Sequence, residues 1–125
     1  MQHVLTASEN GKRMTVVTDG DGDPAGIIAF LKDIVAHPAW HPGMDIFIDH
    51  RKLALGQITP SGVEAVSHYF KSISPVLGDG RLALLMNRDV DFGIARAWET
   101  LTEGDVDMSI RVFRDLDSPE TWLAR

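Results

Sequence analysis

Segments that alternate apolar and polar residues trade places along this chain with segments whose apolar residues recur every three or four positions. That is the pattern of strands interleaved with helices. Leu5, Ala7, Met14 and Val16 share one side of two short alternating segments, and Thr6, Ser8, Arg13 and Thr15 share the other. Asn10-Gly11 joins the two segments. Both residues tolerate positive φ, so they predict a two-residue type I′ turn with Glu9 opposite Lys12, Ala7 opposite Met14 and Leu5 opposite Val16. Strands are expected at about 3–8 and 12–18. Asp19-Gly20-Asp21-Gly22-Asp23-Pro24 reads as a loop ending in a helix start, with Asp23 as N-cap and Pro24 as first helical residue. Ile27, Ile28, Leu31, Ile34 and Val35 form the apolar stripe of that helix, which His37-Pro38 ends.

The run Asp45–Asp49 has the length and composition of a buried strand, and Thr59-Pro60 opens a second helix marked by Val63, Val66, Phe70 and Ile73. Gly78-Asp79-Gly80 turns the chain into a buried strand over Arg81–Met86. A third helix over about 91–103 carries Phe92, Ala95, Trp98 and Leu101 as its inner face. Ser109–Phe113 is the last strand, and Ser118-Pro119 caps a short helix holding Trp122 and Leu123. The order β-β-α-β-α-β-α-β-α implies an α/β fold with a mainly parallel five-stranded sheet, an antiparallel hairpin edge and four helices. No linker or repeat divides the chain, so a single domain over residues 1–125 is expected.

Composition narrows the function. A hydrophobic fraction of 44% supports a real core, and a net charge of -6 disfavours nucleic acid and anionic membrane surfaces as partners. No apolar run approaches the ~20 residues of a membrane span, and the first residues lack a basic-then-apolar leader, so a cytoplasmic protein is expected. With no cysteine in the chain there is no thiol chemistry.

The candidate sites are each incomplete. Asp19, Asp21 and Asp23 imitate the start of a calcium loop, but Pro24 stands at its sixth position and Phe30 at its twelfth. The glycines of the same loop do not match a dinucleotide or phosphate-loop motif. His37 and His41 have zinc spacing only on a continuous helix, which Pro38 and Pro42 break; His37 is better placed to stabilise a helix C-terminus. Asp49 and His50 are adjacent on a strand and so point to opposite sides, which rules out a direct catalytic pairing. Neither a metal, nor a cofactor, nor a catalytic residue is therefore expected. Ligands of open parallel sheets bind beyond the carboxyl ends of the strands, which directs attention to Asp49, Arg51 and Arg96. Either an arginine pairs with Asp49 to anchor a loop, or one stays free to receive an anionic group from a partner or ligand.

The run His37-Pro38-Ala39-Trp40-His41-Pro42-Gly43-Met44-Asp45 leading into Asp49-His50-Arg51 resembles small stand-alone bacterial proteins of the SpoIIAA-like family. Phe92-Gly93-Ile94-Ala95-Arg96-Ala97-Trp98-Glu99 resembles that family's third-helix motif, and Arg111–Asp115 with Trp122-Leu123 its closing strand and helix. The family is related to the STAS domains of anti-sigma-factor antagonists and, more distantly, to CRAL-TRIO lipid-binding domains. The resemblance implies a βα superhelix with helices stacked on one side of a curved sheet, and a non-enzymatic regulatory or protein-binding role. Regulatory STAS domains carry a phosphorylatable serine just after the central strand. Here His50-Arg51-Lys52-Leu53 follows, so switching by a serine at that place is not expected, and Thr59 and Ser61, after a longer loop, are the remaining candidates for phosphorylation. The alternative is a small or lipid-like ligand in an apolar pocket under the helices, which a cavity of about 300 Å³ or more would favour. The unpaired edge of the hairpin suggests a homodimer.

Overall fold

The computed structural model describes all 125 residues. Strands β1 (Gln2–Ala7), β2 (Arg13–Asp21), β3 (Asp45–Ala54), β4 (Arg81–Leu85) and β5 (Ser109–Phe113) form one sheet in chain order. β1 and β2 are antiparallel and every other pair is parallel. Between them lie α1 (Pro24–Ala36), α2 (Pro60–Ser72), the single turn α3 (Ser74–Leu77) and α4 (Asp89–Thr102). A 3-10 turn (Glu103–Asp105) follows α4, and α5 (Asp117–Leu123) ends the chain. The helix count is five, not four, because a separate single turn, α3, forms after a break at Ile73 that Pro75 follows.

Ala7 lies opposite Met14 and Leu5 opposite Val16, as the alternation requires. The turn itself differs from the type I′ expectation. Gly11 has φ 71°, but no non-glycine residue has positive φ. The Gly11 amide bonds the Ser8 carbonyl, so Glu9 and Asn10 form the turn and Gly11 supplies the left-handed residue after it. The Asn10 side chain seals it, accepting from the Ser8 hydroxyl and the Lys12 amide.

Parallel crossovers between neighbouring strands keep one hand, so a sheet in strict chain order must carry its connecting helices on one face. α1, α2 and α4 do lie on one face. Beneath them Met14, Ile46, Leu82 and Ile110 align across four strands, all within 1% of complete burial. α5 corrects the expectation that all helices share that side. It lies on the other face, where Leu123 packs on Phe47, Ala83 and Leu85. It leaves the β1–β2 half of that face bare. Leu101, expected inward on α4, is 43% exposed, while Asp91 at the other end of the helix is 2% exposed.

β2 runs on through Asp19 and Asp21, where a loop was expected, and only Asp23 acts as a cap, accepting from the Gly26 amide at 2.7 Å. β3 is twice the expected length. A bulge accompanies its extension: Val17 pairs with Asp49, but Asp19 pairs with Lys52. One extra residue on β3 inverts the alternation from there on. Arg51 and Lys52 are both exposed, and Leu53 returns to the helix-covered face that Ile46, Ile48 and His50 share.

Candidate functional site

The rim at the carboxyl ends of the strands is rich in charge, and three of its arginines are already paired. Asp49 projects to the face opposite the three large helices. It accepts from the Arg51 amide (3.1 Å), Nε (3.0 Å) and Nη2 (2.8 Å). Burial pushes the Asp49 carboxyl upward, but the hydrogen bonds and charge of Arg51 outweigh it and hold the group below its ordinary value. Arg88 binds Asp91, and Arg114 binds Asp89. Arg96 lies elsewhere, on α4, paired with Glu99 at 2.9 Å. Of the three residues singled out from sequence, the fold brings Asp49 and Arg51 together and leaves Arg96 apart.

Arg51 remains 45% exposed, so much of its attraction for Asp49 is screened by water. Asp49→Ala is expected to lower stability by about 1 kcal/mol, not the 3–5 kcal/mol that breaking a buried pair costs. Urea denaturation measures it. A loss near 4 kcal/mol would mean that Asp49 supports more than Arg51.

On the other side of β3, His50 is 5% exposed and stands against the edge of Phe30, ring centroids 5.8 Å apart. Thr18, opposite the bulge, donates to the Asp49 carbonyl (3.2 Å) and lies 2.6 Å from His50 Nδ1. With the hydroxyl proton on that carbonyl, Nδ1 carries the ring proton and Nε2 is left as an acceptor with no partner in the protein. Burial drives the imidazole down to about 4, against the opposing charges of Asp49 and Asp91, so it is neutral at ordinary pH.

His50 is the single polar residue among 16 that line a cavity of about 60 Å³ between the sheet and α1, α2 and α4. Trp98, also in that wall, has a buried indole N–H with no hydrogen-bond partner. The alternation Ile46, Ile48, His50 is the signal in the sequence that could have found this histidine. Asp91 carried no such sign. Its carboxylate accepts from the buried Leu55 amide at 2.8 Å and from Arg88 Nε at 2.7 Å, tying the end of β3 to the first turn of α4.

The remaining polar candidates hold local structure. His37, at the end of α1, accepts from the Ala39 amide through Nδ1. His41 Nε2 donates to the Gly11 carbonyl at 2.8 Å, linking the loop before β3 to the hairpin. Thr59 caps α2 by accepting from the Gly62 amide, and the Ser61 hydroxyl lies 3.0 Å from its oxygen.

No family model and no curated protein matches the chain. Among solved structures it is similar to an uncharacterised protein of the DUF3478 family, with a SpoIIAA-like fold, from Shewanella loihica. The TM-score is 0.61 at 13% identity, over 98% of this chain and 93% of that one. No helix is long and apolar enough to cross a membrane. A parallel sheet in chain order, an N-terminal hairpin and near-complete mutual coverage together give this chain the SpoIIAA-like fold.

Proposed function

We propose that the chain is a non-enzymatic binding module that works by docking another protein along the open edge of its sheet. The observation that carries this reading is β1. It is an edge strand of six residues with no proline, no Lys, Asp or Glu, and no bulge in its pairing, so the usual guards against strand addition are missing. Beside it, on the half of the sheet that α5 leaves bare, Val4 (66% exposed) faces Val17 (41% exposed). An extended segment of a partner can add a strand there by main-chain hydrogen bonds. β1 of a second copy is the self-associating form of the same contact.

A second reading is a small, largely apolar ligand under the helices. It is favoured by the unpartnered Trp98 N–H in the cavity wall, since buried polar groups ordinarily find a partner. The volume of about 60 Å³ is far short of the ~300 Å³ of typical ligand sites, so this reading needs the helices to part. Native mass spectrometry of the purified protein separates the two. Docking predicts the bare chain, alone or as two copies. A small molecule retained at one per chain would overturn docking in favour of the cavity, and monomer alone at high concentration would end the self-associating form.

A further inference from the structure

The bare half of the sheet also forms one wall of a polar cleft of about 850 Å³, between the hairpin, the start of β3 and the end of α5. Its size lies within the range of small-molecule sites. Its charge runs against that of the whole chain. In a protein of net charge -6, the side chains lining this cleft include Lys12, Arg13 and Arg125 against a single carboxylate, Asp45. Asp45 is already engaged, by the Arg81 amide and the Arg125 guanidinium. Lys12 is exposed and in no ion pair. Arg13 sits over the Phe47 ring, with its guanidinium carbon 5.9 Å from the centroid, and meets Glu120 from α5 at 2.9 Å. Glu120 is half-exposed and free to turn into water. Next to Arg13 on the same face is Thr15, directly opposite Thr6, and neither hydroxyl is hydrogen-bonded within the protein.

We propose that this cleft binds a small phosphorylated molecule, its phosphate held by Lys12 and Arg13 and its polar body lying over Thr6 and Thr15. A fork of guanidinium donors, an ammonium and two free hydroxyls on a rigid antiparallel pair suit a tetrahedral oxyanion carried on a hydroxylated body. An arriving phosphate displaces Glu120 from Arg13. Positive charge in a concave surface draws anions in despite the negative charge of the whole. The site shares β1 with the strand edge, through Thr6, and is separate from the cavity under the helices.

The test is an amide-resolved NMR titration of the intact protein with inorganic phosphate and with glucose 6-phosphate, against sodium chloride at equal ionic strength. The expected result is saturable shifts at Thr6, Lys12, Arg13 and Thr15, with the sugar phosphate binding more tightly than phosphate alone. Lys12→Gln and Arg13→Gln should each weaken binding about tenfold or more, whereas Arg96→Gln, the same charge change far from the cleft, should not. Lys12 is exposed, so its variant keeps the fold whatever becomes of Arg13→Gln. Shifts matched by chloride, or unchanged in Lys12→Gln, would overturn the site. Equal affinity for phosphate alone and the sugar phosphate would overturn the role given to the threonines.

Discussion

Lowering the pH from 6.5 to 4 is expected to remove on the order of 3 kcal/mol of stability through His50 alone. In the folded protein its imidazole titrates at about 4, because burial disfavours the charged ring; in the unfolded chain it returns to 6.5. Between those values the unfolded state binds the extra proton. Stability therefore rises with pH through the window, is complete above 6.5, and is lost as pH falls to 4. A difference of about 2.5 pH units at about 1.4 kcal/mol each gives the magnitude. Asp49, whose carboxyl is held below 3.8, contributes in the same direction only below this window. Chemical denaturation at pH 4, 5, 6 and 7 measures the slope, and His50→Gln should flatten it. An unchanged slope in that variant would show that other groups carry the dependence.

The second large effect is expected at Asp91. Removing its carboxylate in Asp91→Ala leaves the buried Leu55 amide without an acceptor, and Arg88 without its partner. Arg88 is 54% exposed and can turn to water, so the cost is dominated by the orphaned amide and the small void. Losing a charged acceptor from a buried N–H costs about 1–3 kcal/mol, and the void adds to it, so a loss of about 2–4 kcal/mol is expected. That corresponds to a fall of roughly 10 °C in Tm for a domain of this size. Asp91→Asn keeps an oxygen for Leu55 and should lose about half as much. If the two variants melted together, the charge on Arg88, not the Leu55 amide, would be what Asp91 serves.

These two residues show how differently a site can be written in a sequence. His50 continues the alternation of Ile46 and Ile48, so its place on the apolar face was legible from period, although only the opposite orientation of Asp49 and His50 was expected from it. That it would be neutral did not follow, since burial depends on helices contributed by distant parts of the chain. Asp91 sits in the first turn of α4, where an acidic residue has a sufficient local explanation in the helix dipole. Its real partner, Leu55, is 36 positions away. Arg96 failed for the opposite reason: its attractive partner on paper was Asp49, but a glutamate three residues along its own helix was closer.

The same division holds for the fold. Local chemistry was enough for the strands and helices that announce themselves by period and caps: the pairing of Leu5 with Val16, Asp23 and Thr59 as N-caps, and α1 and α2 beginning at their prolines. The chain order of elements, with the fixed hand of parallel crossovers, was enough to place three helices on one face. Tertiary structure decided what depends on competition between distant surfaces. The extra residue in β3 returns Leu53 to the core, where it is buried, and no local pattern demands it. α5 takes the back of the sheet because Phe47, Ala83 and Leu85 leave an apolar surface there for Leu123 to cover. By covering only half of that face it also creates the bare edge and the cationic cleft. Those surfaces consist of what packing left over, which no single segment of the sequence encodes.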